Sequence, residues 1–170
     1  MKILPIVAGC VVLLVLGVVV IGALLPKTHV ASSAAAFNAT PERLFGLIAG
    51  PQDWRPDVLH YEVLPESAGH EMVRETTRHG DPITYEILDR RPPESITRRI
   101  TTKNLPYSGT WTYTLQPDGT RTVVRITENG EVYNPIFRFV SRFILGHTST
   151  IDDYLRAIGK ATGQQIQITN

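Results

Sequence analysis

The sequence has 170 residues, 42% of them apolar and 19% charged, with 17 basic against 16 acidic side chains and a formal charge of +1. That composition is too apolar and too balanced for a disordered chain, and it gives no bulk electrostatic attraction to nucleic acid. One cysteine, Cys10, excludes an intramolecular disulfide and any multi-cysteine metal site.

The charges are unevenly placed. Residues 3–25 carry none and are nearly all Ile, Val, Leu, Ala or Gly. As a helix at about 1.5 Å per residue they reach roughly 35 Å, enough to cross a hydrocarbon core of about 30 Å with some tilt. Pro5, Gly9, Gly17 and Gly22 are compatible with a spanning helix, and Lys2 and Lys27 bracket the run. The competing reading is a cleaved secretory signal, but its apolar region is usually about 7–15 residues and Ala34-Ala35-Ala36 lies far beyond the end of this run. We therefore expect a single-pass transmembrane anchor over 1–26, a globular domain over 27–163 and a polar tail over 164–170. Val7-Ala8-Gly9-Cys10 resembles the lipobox of bacterial lipoproteins; because the apolar run continues well past Cys10, that cysteine reads as a residue inside the helix. Lys2 and the α-amine are weighed against Lys27 and Arg43, a small excess that leans towards an internal N-terminus and an extracytoplasmic domain.

A first strand is expected over 29–37, although its Ala/Ser content is poor for a strand. Thr40-Pro41-Glu42 then reads as a helix start, with Thr as cap, Pro at the first helical position and an acid in the first turn. Leu44, Phe45, Leu47 and Ile48 give that helix an apolar face, and Gly50-Pro51 stops it. Residues 52–56 suggest a second short helix or turn with Trp54 as an inward anchor. Six strands follow at 58–64, 71–79, 83–90, 95–102, 107–116 and 120–132, separated by Gly/Pro-rich turns, which is the pattern of an antiparallel meander. In the fifth of these, Tyr107, Trp111, Tyr113 and Leu115 share one face, and Ser108, Thr110, Thr112 and Thr114 the other. Asn134-Pro135 opens a helix running to about residue 160, with Ile136, Val140, Phe143, Ile144, Ile151, Tyr154, Leu155 and Ile158 at helical spacing.

This order is that of the α+β helix-grip fold (β-α-α-β6-α), preceded by one transmembrane helix. Phe37-Asn38-Ala39-Thr40-Pro41-Glu42-Arg43-Leu44-Phe45, then Trp54-Arg55-Pro56, resembles the opening of the START/Bet v 1-like (SRPBCC; polyketide cyclase/dehydrase-like) superfamily. Gly119-Thr120-Arg121-Thr122-Val123-Val124 and the terminal amphipathic helix are similar to it too. The resemblance covers roughly residues 30–162. It implies a curved antiparallel sheet gripping the last helix around an apolar cavity, and binding of a lipid, polyketide or other hydrophobic molecule. It carries over no universal catalytic signature, and fold alone does not establish chemistry.

The standard constellations are absent: no G-x-S-x-G, P-loop, G-x-G-x-x-G or H-E-x-x-H occurs, so no cofactor and no metal are expected. Of the five histidines, His147 is the one placed to face the cavity; the alternative is a surface or satisfied core residue. Asn38-Ala39-Thr40 matches a glycosylation acceptor but doubles as the helix cap. Strand phase supplies the polar candidates. If Val73 points inward so does Glu75; Ile96 and Ile100 carry Arg98 with them; Thr122, Val124 and Ile126 carry Glu128. A buried acid between apolar walls would have a raised pKa, which makes Glu75 and Glu128 candidates for general acid–base chemistry. The plain alternative is that these groups sit at strand ends or bulges, solvated or paired, and a one-residue slip would turn them outward.

Trp54, Tyr85, Tyr107, Trp111, Tyr113 and Tyr154, with Arg98 and His147, form the expected ligand-binding set; as plain core residues the aromatics would look the same. Phe137, Phe139 and Phe143, with Arg138 and Arg142, give more apolar surface than one core needs. They are read as core packing, as the cavity mouth, or as a bilayer contact with Arg at headgroup level. The function expected is binding of a hydrophobic small molecule or lipid, with a cyclase, aromatase or dehydratase, and a partner-binding accessory protein, as alternatives.

Overall fold

The computed structural model describes residues 3–78, 80 and 82–170, with side chains from residue 6 onward. Lys2, His79 and Asp81, which the sequence reading placed at an anchor, a strand end and a turn, lie outside the described residues.

The apolar run forms helix α1, Ile3–Leu24. Its side chains from Ile6 to Leu16 are all exposed, and it is long and apolar enough to span a membrane. Strand β1, Thr28–Phe37, leads into α2, Pro41–Ala49, where Thr40 accepts from the Arg43 amide as cap and Pro41 takes the first position. Strands β2 (Val58–Ser67), β3 (His70–Thr77), β4 (Ile83–Arg91), β5 (Ser95–Ile100), β6 (Tyr107–Asp118) and β7 (Arg121–Val132) form the meander. Helices α3 (Pro135–Val140) and α4 (Ser149–Ala161) follow, and β8, Ile168–Thr169, ends the chain.

The sheet is antiparallel, in the order β2-β3-β4-β5-β6-β7-β1-β8. β1 is a poor strand by propensity but pairs along its whole length with β7, and at Ala34 and Ala35 with β8, and this backbone pairing outweighs the missing side-chain preference. Its small residues Ala31, Ser33 and Ala35 are buried and admit α4 closely; Ser33 donates to Asp152 Oδ1 of α4 at 2.6 Å. The register sets rows across the inner face. One row is Ile96, Tyr113, Ile126 and Ser33; the next is Arg98, Trp111, Glu128 and Ala31. α4 lays Ile151, Tyr154, Leu155 and Ile158 on this face, a single stripe at helical spacing, and α2 adds Leu44, Phe45 and Ile48. Each fully buried Leu, Ile or Phe contributes about 1.5–3 kcal/mol.

Of the short helix or turn expected over residues 52–56 the structure forms the turn: Gln52 points inward and its amide donates to Leu47 O, Ile48 O and Gly50 O, closing the end of α2. One expectation needs correction. The expected single helix from 134 to about 160 is broken. After α3 a π-helical turn, Ser141–Leu145, leads to Gly146 at φ +77°, a backbone outside the helical region that glycine adopts without penalty. Residues 164–170 are held on the domain: β8 pairs with β1, and Gln164 Oε1 accepts from the Asn38 amide at 2.7 Å.

The break separates two packing partners. α4 belongs to the sheet, whereas α3 packs against the end of α1. Arg138, buried, donates to Leu25 O at 2.7 Å and Ala23 O at 3.3 Å, and Gly22 is so close to the Pro135 carbonyl that no larger residue fits.

Candidate functional site

Between the inner face of the sheet and α4 lies a cleft of about 720 Å³. The register explains the hollow. Gly109 of β6 and Gly130 of β7 are direct cross-strand partners on the inner-facing positions, so two adjacent strands carry no side chain there. On β1 the residue opposite Gly130 is His29, whose ring leans over that glycine so closely that a Cβ would overlap it.

On the β3–β5 side the cleft floor is charged. Glu75 is 2% and Arg98 3% exposed. Glu75 Oε2 accepts from Arg55 Nη1 at 2.9 Å and Oε1 from Arg98 Nη1 at 3.3 Å, so both carboxylate oxygens hold guanidinium groups. Arg55 also grips Asp57 at 2.7 Å, and Arg98 Nη2 donates to Ile48 O. Arg98 Nε is buried without a partner. Separating charges this deeply buried is costly, because each would be left unpaired in a medium of low dielectric.

Aromatic rings wall this floor. Arg55 lies 5.1 Å over Tyr154 and Arg98 5.4 Å over Tyr113, and the two rings are 5.4 Å apart. Trp111 stands edge-on to Tyr154 at 6.1 Å. Tyr154 donates to Gln52 Oε1 at 2.7 Å, tying α4 to the end of α2. Burial pushes the hydroxyls of Tyr85, Tyr113 and Tyr154 above the ordinary tyrosine range, so they stay protonated and able to donate.

The opposite end, beside α1, has a different character. Val132, Phe137, Leu145 and Tyr107 line it, with Glu128, His29 and His147. The two imidazoles stack at 4.2 Å, and Glu128 Oε1 is 3.9 Å from His29 Nε2. Burial, then the neighbouring His147, lowers the His29 pKa; burial, then Arg142, lowers that of His147. Burial raises the Glu128 pKa, which a hydrogen bond from Trp111 partly offsets. His29, Val132 and His147 also wall a smaller cavity of about 220 Å³ that reaches Leu25, Pro26 and Lys27 at the end of α1. Among the described residues no cluster of three or more His, Cys, Asp or Glu is placed to hold a metal.

A family model described as polyketide cyclase / dehydrase and lipid transport matches residues 28–150. The chain belongs to this family. Similar solved structures place this polyketide cyclase/dehydrase family member in the Bet v 1-like helix-grip fold. A conserved protein from Geobacillus kaustophilus shares 15% identity at a TM-score of 0.66, covering 84% of this chain and 100% of that one. Norcoclaurine synthase from Thalictrum flavum shares 14% at 0.61, covering 81% and 88%. Protein CV1439 from Chromobacterium violaceum shares 16% at 0.54, covering 82% and 96%. No curated protein matches the chain.

In this family member the structure brings Tyr85, Arg98, Tyr107, Trp111, Tyr113, His147 and Tyr154 to the cleft, together with Glu75 and Glu128. Trp54 is displaced from it. Its Nε1 donates to Leu47 O at 3.0 Å and its ring packs against Tyr154 at 5.7 Å, so it supports the wall from behind. The cavity expected to be apolar is instead divided between a charged floor and an apolar end. Phe137 and Phe143, half exposed, are not core. Sequence reasoning missed Arg55, Gln52 and His29. Arg55 was quoted only as part of Trp54-Arg55-Pro56, and its pairing with Glu75 depends on residues 52–56 taking the turn rather than the helix, which the sequence left open.

Proposed function

We propose that this family member is a membrane-tethered binding protein whose cleft holds one amphipathic small molecule, a lipid or isoprenoid by class. The tether is residues 1–26 and the binding domain 27–163. The observation that supports this best is the cleft's divided lining. A volume of about 720 Å³ lies within the usual range of about 300–1,000 Å³ for small-molecule sites. The ion-paired floor and the tyrosines on the β3–β5 side suit a polar end of the ligand. Val132, Phe137 and Leu145 suit a hydrocarbon end, and they sit beside the helix that would enter the bilayer. The family description, which includes lipid transport, agrees in class.

Native mass spectrometry of the full chain, released from membranes in mild detergent, tests the reading. A bound species in the mass range of a single-chain or isoprenoid lipid is expected. It should be lost in Ala157→Phe, which puts a bulky ring into the cleft from α4 and leaves the sheet's own residues unchanged. A wild-type chain free of any adduct, and unable to acquire one from added lipid, would overturn the proposal. A second reading, acid–base catalysis, draws on Glu128, whose raised proton affinity and place on the cleft wall suit proton transfer. Turnover of a bound ligand that survives Glu128→Gln and Glu75→Gln would remove it.

A further inference from the structure

The segment 135–146 is the part of the molecule that the cleft and the fold leave least explained. Within it Ile136, Phe137, Phe143, Ile144 and Leu145 are 45–68% exposed. A water-soluble protein seldom presents five such side chains in one short stretch. The break at Gly146 detaches the stretch from α4, and its backbone turns away from the sheet towards α1. There it is fixed: Arg138 donates to the carbonyls of Ala23 and Leu25, which the end of a helix leaves unpaired, and Pro135 rests on Gly22.

That attachment sets a depth. If α1 crosses the bilayer, Ile6–Leu24 at about 1.5 Å per residue fills roughly 28 Å, so Leu24 and Leu25 emerge at the boundary of the hydrocarbon core. Whatever is hydrogen-bonded to the last turn lies at the same level. Exposed Phe, Ile and Leu are stable there, and the exposed cations Arg142 and Lys27 meet the lipid headgroups. We infer that residues 135–146 lie in the headgroup layer of the bilayer as an interfacial lip of the cleft. Phe137, Ser141, Leu145 and Gly146 belong both to the lip and to the cleft lining, so the cleft opens at the lipid–water boundary and its ligand enters sideways from the membrane. The inference rests on the tether proposed above.

Depth measurement by spin labels separates the two. The full chain carrying Cys10→Ser receives one cysteine at a time: Val15→Cys in α1, Phe143→Cys or Ile144→Cys in the lip, and Arg121→Cys at the far β6–β7 hairpin. Each is labelled and reconstituted in vesicles of phosphatidylcholine with phosphatidylglycerol, then tested with oxygen and with a water-soluble nickel chelate. The Val15 label should meet oxygen alone, the lip labels should be several-fold less accessible to nickel than Arg121, and their depth should fall between the other two. Lip labels as open to nickel as Arg121, with Val15 in hydrocarbon, would overturn the lip and leave the tether standing. Lip labels shielded from both reagents would mean a protein contact instead, and would also overturn it. A Val15 label open to nickel would remove the tether, and the lip with it.

Discussion

Glu75 is a buried charge whose removal should be costly. It is held between Arg55 and Arg98, with side-chain exposures of 3% for Glu75, 15% for Arg55 and 4% for Arg98. Glu75→Met leaves the Arg98 guanidinium, which cannot lose its charge, buried beside an apolar side chain. Breaking a buried pair from one side costs about 3–5 kcal/mol. For a domain the size of residues 27–170, an unfolding entropy of about 2.1 cal/mol/K per residue makes that a fall in Tm of roughly 10–17 °C. Arg121→Ala breaks the Asp118 pair, half exposed on both sides, and should stay within about 0.5 kcal/mol. Adding Arg98→Met to Glu75→Met removes the stranded charge, and the double variant should recover part of the loss. Thermal unfolding of the detergent-solubilised chain, followed by the circular dichroism of the sheet, measures these three variants and Arg98→Met alone. A Glu75→Met variant no less stable than Arg121→Ala would refute the reasoning. A double variant worse than the sum of its parts would refute the part assigned to desolvation.

Trp111→Ala should cost more than Thr112→Ala, though near the lower end of the usual 3–5 kcal/mol for a buried aromatic, since half-buried Trp111 faces an existing cleft. Thr112→Ala loses only the hydroxyl contact with Thr97, about 0.2–1 kcal/mol, and the reverse ranking would invalidate the strand phase. His29 and His147 have folded pKa values below 6.5, so as pH falls below 6.5 the unfolded chain binds protons first and stability declines. The double variant His29→Gln, His147→Gln should flatten that decline in denaturant titrations; an unchanged acid limb would contradict it. Gly130→Ala should displace the His29 ring from its stack, seen as a rise of the His29 pKa towards 6.5 by NMR; an unmoved value would mean the glycine is not needed for the stack.

Most of the sheet was legible because alternation reports phase directly. The pairing of Val73 with Glu75, of Ile96 with Arg98, and of Tyr113 with Leu115 along their strands placed these groups on the inner face, and the register agrees. The helix starts at Pro41 and Pro135 were legible from their caps. The break at Gly146 was not, although the glycine was in view. Ile136, Val140, Phe143 and Ile144 continue the period of α4, and periodicity states that a face is apolar without saying what covers it. Here the sheet covers the part on α4, α3 turns towards α1, and Phe143 and Ile144 stay exposed. Gln52 and Arg55 were hidden by the same limit, since a turn and a helix place them on different faces, and their partners Tyr154 and Glu75 are distant in sequence. The hollow required the register as well: Gly109 and Gly130 mean little until they stand opposite each other. β8 is too short to leave any pattern.

The central claim, that a lipid tail enters this cleft from the bilayer, is tested most directly by fluorescence. The chain has two tryptophans, Trp54 behind the wall and Trp111 on the cleft. In full-length Trp54→Phe, Trp111 is the only tryptophan emitter. Vesicles holding a single-chain lipid brominated along its tail should quench Trp111, and Ala157→Phe should abolish the quenching while the protein remains bound to the vesicles. Emission from Trp111 that is indifferent to the brominated lipid, in a chain shown to be vesicle-bound, would contradict the account.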